Sequence, residues 1–485
     1  MEVKNELFIG GRWVAPTTDA TFDVVSPSTE LVIATVPAGG PGDIDRAVMA
    51  ARQAFDNGPW PRLPVGERAA TMLRLASELQ SRVDELATTI TAEMGATITV
   101  TRLGHAPAPI ALLEYYAKLA DTFPFSEHRV GMTGPGTIVR EPVGVVAAIV
   151  PWNAPFWLAM FKLAPALLAG CTIVLKPAPE TPLDSYLLAE AIDAAGFPEG
   201  VVSIVTADRQ AGQHLIEHPG VDKVAFTGST AAGRTILEAC ARNVKNVTLE
   251  LGGKSAAVFL DDVDLGVAIG QFLPGAIINN GEACAALTRV LAPRARHDEI
   301  VEALCAAFSS LPVGDPFDES TVMGPLVSDR IRQRVEGYIA LGEEEGAKIA
   351  IGGGRPSHLD RGFYVEPTIF TNVDNSMRIA QEEIFGPVIA VIPYDSDDEA
   401  IGLANDTVYG LYGAVFTDDL QRGYDVARRI RAGTCAVNRF GLDMMFPFGG
   451  FKQSGLGREG GPEGLQPYLE TKVLFGPEGD DAPAG

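Results

Sequence analysis

Between Pro142 and Leu175 the chain carries a single charged side chain, Lys162, in an otherwise largely apolar stretch. A run of that length invites a membrane-spanning reading, which needs about 20 consecutive apolar residues in one helix. Pro151, Pro155, Pro165 and Gly170 interrupt it, however, and the pieces 143–150 and 171–175 are short and rich in β-branched residues. Buried strands of a parallel sheet have that character, so the stretch reads as strand, loop, helix, strand. The alternation then continues, with a strand over 143–149, a helix over 156–169 and a strand over 171–175. It runs on through a helix over 182–195, a strand over 201–205, a helix over 209–217, a strand over 222–226 and a helix over 230–242. This pattern predicts a doubly wound, Rossmann-like α/β domain with a parallel sheet. Ligands of such sheets bind beyond the carboxyl ends of the strands, which draws attention to the loops bearing Asn153, Lys176 and Gly228.

Upstream, helical patterning covers 43–56, 66–94 and 106–120; in the second of these Met72, Leu75, Leu79, Val83, Leu86 and Ile90 recur every three or four residues. Residues 122–141 mix prolines, glycines and alternating side chains, the pattern of a hairpin or extended excursion. A second α/β stretch runs from near Leu251 to about Asp443, with strands expected at 256–260, 288–292, 388–392, 412–416 and 433–437. The acidic, Pro/Gly-rich tail 476–485 reads as disordered.

At 485 residues the chain exceeds the roughly 250–300 that one hydrophobic core serves, so two or three domains are expected. A net charge of −24 opposes nucleic-acid and anionic-membrane partners. The five cysteines, at 171, 240, 284, 305 and 435, are odd in number and widely spaced, with no C-x-x-C and no Cys/His cluster. That excludes a disulfide framework, argues against a metal site and suits a reducing compartment. The opening Met1-Glu2-Val3-Lys4-Asn5-Glu6 lacks the basic start and apolar run of a signal peptide, and the expectation is a cytoplasmic protein.

Two segments carry chemistry. Asn280-Gly281-Glu282-Ala283-Cys284-Ala285-Ala286 sets a thiol among small side chains, which leaves a carbonyl carbon room to approach. Leu249-Glu250-Leu251-Gly252-Gly253-Lys254 supplies a carboxylate able to act as a base. The chain has no G-x-G-x-x-G where a common dinucleotide site would put it, and 206–212 holds too few glycines to serve. Phe226-Thr227-Gly228-Ser229-Thr230 instead stands at a strand-to-helix junction, where backbone N–H groups can meet a phosphate.

In order along the chain stand Pro151-Trp152-Asn153-Ala154-Pro155, Lys176-Pro177, the 226–230 junction, the Glu250 segment and Gly281 with Cys284. Glu382-Glu383-Ile384-Phe385-Gly386-Pro387 and Pro447-Phe448-Gly449-Gly450-Phe451-Lys452 follow. Together these strongly resemble the aldehyde dehydrogenase superfamily of the hydrolytic NAD(P)-dependent type, over about Leu7 to Phe475. The resemblance implies that Cys284 is the nucleophile, that Asn153 and the Cys284 N–H hold the oxyanion, and that Glu250 activates the water that hydrolyses a thioester. It implies cofactor contacts from Ile149, Trp152, Lys176, Gly228, Ser229, Glu383 and Phe385, and an apolar aldehyde tunnel of Ala154, Leu158, Phe161, Ala283, Ala285 and Phe448. An aliphatic, terpenoid or aromatic aldehyde suits such a wall.

Arg439 leaves open a carboxylate-bearing semialdehyde, and a CoA-acylating relative is a further alternative that Glu250 argues against. Three residues after Lys176, where many NAD-preferring relatives carry glutamate, stands Pro179, with Glu180 next. NAD is the expected cofactor, with NADP possible. The expected organisation is a dinucleotide-binding domain over 1–123 and 143–252, a catalytic domain over 253–450, and an oligomerisation arm over 124–142 and 466–475. Extended arm segments need a partner, so a homodimer or homotetramer is expected.

Overall fold

The computed structural model describes residues 2–475, so the acidic tail lies outside the described residues. Strands Val145–Ile149, Thr172–Lys176, Val202–Ile204, Lys223–Thr227 and Asn246–Glu250 form the parallel centre of an eight-stranded sheet. The chain winds outward from Val145–Ile149 in one direction through Thr172–Lys176 and Val202–Ile204, and in the other through Lys223–Thr227 and Asn246–Glu250. The order therefore reverses between Ile149 and Thr227, a switch point at which the two following loops diverge and leave a crevice. Residues Val145–Ile149 are buried throughout, as their apolar run requires of a strand covered on both faces.

Antiparallel strands Leu7–Ile9 and Arg12–Val14 extend this sheet at one edge, and Gly455–Leu456 closes the other beside Asn246–Glu250. The second sheet has seven strands, in the order Lys348–Ile351, Thr368–Thr371, Val388–Tyr394, Leu287–Pro293, Ser255–Phe259, Tyr412–Phe416 and Thr434–Val437. All but the first pairing in that order are parallel. A separate antiparallel sheet joins Ser126–Gly131, Gly134–Pro142 and Leu469–Phe475. Among the described residues no helix is long and apolar enough to cross a membrane.

Local details depart from the sequence expectations. The helix expected over 66–94 is two, Val65–Ser81 and Val83–Met94, broken at Arg82 with φ −114°. The apolar period runs unbroken across the break through Leu79, Val83 and Leu86, all packing on the same core, with Val83 half-buried at its edge. At the break Arg82 Nη1 donates to Glu190 Oε2 at 2.6 Å. Strand Asn246–Glu250 escaped notice because Asn-Val-Thr-Leu-Glu has no apolar run, and strands Lys348–Ile351 and Thr368–Thr371 were likewise not foreseen.

Leu251 to Lys254 carry the chain from the carboxyl edge of the first sheet to the amino edge of the second. Arg289, fully buried, fixes the end of this crossing: Nε donates to Lys254 O at 3.0 Å, Nη1 to Asn375 Oδ1 and Leu403 O, and Nη2 to Ala404 O. Arg289→Met strands these acceptors in the interior at a cost of roughly 3 kcal/mol or more. It should lower the thermal unfolding midpoint by several degrees, and an unchanged midpoint would mean that water replaces the guanidinium.

Candidate active site

A cleft of about 500 Å³ opens between the carboxyl edge of the first sheet and the amino edge of the second. Trp152, Asn153, Gly228, Ser229 and Glu250 reach it from the first side, and Cys284, Glu383 and Phe385 from the second. Ile149 and Lys176, and the tunnel candidates Ala154, Leu158, Phe161, Ala283, Ala285 and Phe448, do not line it. Ile149 packs in the core with Phe226, and Phe161 is buried while Leu158 is half-buried. Ala285 and Phe448 share the second sheet's core, and Phe448 is tied to Glu459 by a pair of backbone bonds.

Cys284 follows a tight turn in which Asn279 and Asn280 both take left-handed backbone, φ +50° and +58°. Gly281 continues it at φ +83°, and a Cβ there would lie 2.3 Å from the carbonyl carbon of Gly386, so only glycine fits. Burial pushes the Cys284 thiol up to about 12, and the carboxylates of Glu383 and Glu250 add to the rise, while the N–H groups of Cys284 and Ala285 counter it. Asn153, almost fully buried, donates from Nδ2 to the carbonyl of Glu282 at 2.9 Å. An amide nitrogen has a second N–H, and Asn153 and Cys284 line the same cleft.

Glu250 is buried and neither of its oxygens has a protein partner. Burial first, then the charge of Glu459, hold its carboxyl well above the usual range, partly offset by Lys162 and Arg458. Lys162 and Glu459 form a buried ion pair, Nζ to Oε1 at 2.8 Å, with Lys162 also donating to Thr227 Oγ1 at 2.6 Å. The sequence reading missed this pair, although Lys162 as the lone charge of its stretch was the signal that could have revealed it. Glu282, directly before Ala283, was also missed; it is fully buried, and burial keeps its carboxyl protonated well above the usual range.

The cleft suits an elongated dinucleotide. Ser229 caps the helix Thr230–Ala241, its Oγ accepting from Ala232 N, and the helix's first N–H groups face an end with no intrahelical partner. Glu383 Oε1 accepts from Gly253 N at 2.9 Å, and burial raises this carboxyl to about 7. The rings of Trp152 and Phe385 meet edge to face at 5.3 Å. At the mouth stand residues that were not foreseen, Arg209, Arg334 and Arg330, the last paired with Glu180 at 3.1 Å. Lys176, buried, has its Nζ only 3.2 Å from Pro177 O, and burial lowers the ammonium to about 8.

Residues 13–474 match the profile of the aldehyde dehydrogenase family. The chain is 47% identical to geranial dehydrogenase of Castellaniella defragrans, over 97% of this chain and 98% of that one. A crystal structure of Mycobacterium tuberculosis aldehyde dehydrogenase complexed with NAD+ superposes with a TM-score of 0.97 at 48% identity, covering 99% of this chain and 100% of that one. A Cys-to-Ala mutant of aldehyde dehydrogenase C from Pseudomonas syringae, complexed with NAD+ and octanal, gives 0.94 at 42% identity, covering 97% and 96%. The chain belongs to the aldehyde dehydrogenase family.

With its thiol held near 12, Cys284 is protonated at neutral pH in the ligand-free protein. Alkylation of Cys284 by iodoacetamide, followed by peptide mass spectrometry, should accelerate roughly tenfold per pH unit from pH 7 to 10. A plateau near pH 8 would contradict the raised thiol. Glu383→Gln, which removes one of the two opposing carboxylates, should speed the reaction at any given pH.

Proposed function

We propose that this chain oxidises an apolar aldehyde to its carboxylic acid through a covalent Cys284 intermediate, with NAD as the hydride acceptor. The observation that carries the reading is the meeting of Cys284, Asn153 and Glu250 in the same cleft as Ser229, Glu383 and Phe385. Cys284 Sγ attacks the aldehyde carbon as its proton passes to water, and the carbonyl oxygen becomes an oxyanion. The free N–H of Asn153 and the backbone N–H of Cys284 stabilise that charge, each donor worth roughly 3 kcal/mol of barrier. NAD+, held by the residues named below, would supply the hydride acceptor, and loss of the aldehyde hydrogen with its electron pair would leave a Cys284 thioester. Glu250 then takes a proton from the water that attacks the thioester carbon, and Cys284 leaves as the acid forms.

Ser229 and the start of its helix bind the pyrophosphate, Glu383 the nicotinamide ribose, and Phe385 packs against the nicotinamide side; Gly228 allows the backbone close approach, Trp152 lines the groove, and Ile149 for the groove wall and Lys176 for the adenosine ribose stand behind the cleft lining. Pro179 neither accepts from nor repels a ribose 2′-substituent, and Glu180 is engaged by Arg330, so discrimination against NADP is weak. Ala154, Leu158, Phe161, Ala283, Ala285 and Phe448 are the tunnel candidates by family resemblance, and they stand behind the residues that line the cleft. An apolar substrate is favoured by these side chains and by the geranial and octanal named for the relatives. Glu250 favours hydrolysis over transfer to CoA. Arg439 is exposed and offers no buried anchor for a carboxylate.

The outer sheet of Ser126–Gly131, Gly134–Pro142 and Leu469–Phe475 exposes Val130, Met132, Val473, Leu474 and Phe475, which favours its use as an arm between copies in a dimer or tetramer.

An aldehyde panel run with NAD and with NADP should give the highest kcat/KM for long aliphatic or terpenoid aldehydes with NAD. Equal NADH production by Cys284→Ala and the unaltered enzyme would sink the mechanism. Glu250→Gln should keep a first-turnover burst of NADH while steady-state acid formation falls by roughly a hundredfold or more. Glu250 works as a base only when ionised, so deacylation rises with pH through its raised pKa. Glu459→Gln removes the larger charge contribution to that rise and should move the ascending limb of the kcat–pH profile to lower pH.

A further inference from the structure

Asn153 is held from two sides, and the second hold leads away from the cleft. Its own carbonyl accepts from Asn279 Nδ2 at 2.8 Å. Asn279 Oδ1 in turn lies 2.7 Å from His105 Nε2, a ring contributed by a segment 174 residues earlier. His105 is buried and ends a π-helical turn, Thr101–His105, in which the N–H of Ala106 reaches back to Thr101 O. Such turns recur at functional sites because they re-aim a side chain without ending the helix.

The donors and acceptors of this chain admit one arrangement. Asn153 O can only accept, so the Asn279 group facing it is the NH₂, and its oxygen faces His105. His105 Nε2 must therefore carry a proton. Burial lowers the imidazole's affinity for a second one, and Nδ1 has no protein partner, so the ring is neutral with its proton on Nε2. Without that donor, Asn279 Oδ1 loses its partner and only the Asn153 carbonyl is left to orient the amide. A flipped amide would set oxygen against the Asn153 carbonyl and push the 150–154 loop away.

Asn279 is also held in left-handed backbone, a conformation costing about 1 kcal/mol or more for a residue with a side chain. Neighbouring Asn280 anchors the turn, accepting from Gly324 N at 2.7 Å and donating to Gly95 O and Pro325 O. The turn ends at Glu282, whose carbonyl receives the Asn153 side chain. Asn153 is thereby clamped at its backbone by Asn279 and at its side chain by Glu282, both from the segment that leads to Cys284.

We infer that His105, acting through Asn279, is a positioning residue that sets the distance between the Asn153 amide and Cys284. The inference rests on the reading of Asn153 as oxyanion donor. His105 touches neither aldehyde nor cofactor; it fixes the orientation of one amide, which fixes one loop.

The test is the rate of the first-turnover NADH burst. His105→Leu should slow it by roughly tenfold or more, the scale on which small misplacements act, with aldehyde KM and NAD+ dissociation constant unchanged. His105→Gln, which can return an N–H donor, should recover part of the loss. In an Asn153→Ala background His105→Leu should add nothing further, because both changes act at one donor. A wild-type burst in His105→Leu, or independent multiplying losses in the double variant, would overturn the inference. If Asn153→Ala alone keeps the full burst, the oxyanion reading fails instead, whatever His105 does. Should the leucine variant not fold, ¹⁵N-histidine NMR of the unaltered protein decides: a neutral ring protonated at Nε2 supports the relay, and a ring protonated at Nδ1 refutes it.

Discussion

The site depends on how closely the crossing from one sheet to the other packs against the loops of the second sheet. A Cβ on Gly252 would lie 2.5 Å from Glu383 Oε2, and one on Gly253 would lie 2.2 Å from the carbonyl oxygen of Cys284. A side chain at Gly252 would have to displace the Glu383 carboxylate, and one at Gly253 would meet backbone and pry the crossing from the Cys284 loop. With glycine at both positions, the Gly253 N–H donates to Glu383, and Arg289 grips the carbonyl of Lys254 just beyond. A crossing this short sets the carboxyl edge of one parallel sheet against the amino edge of the other. Loops that end strands in the first sheet, bearing Asn153 and Ser229, therefore face loops that begin strands in the second, bearing Cys284 and Glu383.

That packing has an electrostatic consequence. Glu250, Glu282 and Glu383 are all drawn into low-dielectric surroundings, and burial is the leading cause of the raised pKa of each. Burial first, and then two of these carboxyl groups, hold the Cys284 thiol in its protonated form. Lys162 is committed to Glu459 and Thr227, and Arg330 to Glu180, which leaves the thiol without a paired cation. The resting site is thus arranged against spontaneous modification of Cys284, and reactivity has to come with the ligands that change its field.

Much of the framework was legible because periodicity is local. The buried strands Val145–Ile149 and Thr172–Lys176 show themselves as β-branched runs between prolines and glycine, and the helices between them as spaced apolar residues. Asn246–Glu250 was passed over, although its polar–apolar alternation is a strand pattern, because only five residues carry it; pairing with Lys223–Thr227 fixes it in the sheet. The break at Arg82 was hidden because the apolar period continues through it from Leu79 to Leu86. Lys162 stood out as a lone charge, yet its partner Glu459 is 297 residues away.

The amino-acid sequence by itself determined the reactive groups and their local settings: a cysteine among alanines after Gly281, a carboxylate before a glycine pair, a serine at a strand-to-helix junction, and two α/β halves to carry them. Backbone propensity and apolar spacing act over a few residues, and within that range the chain was readable. Only the tertiary structure decided which carboxylates crowd the thiol, that Lys162 answers to Glu459, and that His105 reaches Asn153 through Asn279. Burial and Coulomb forces act across ångströms between segments hundreds of residues apart, and that range is set only when the chain has folded.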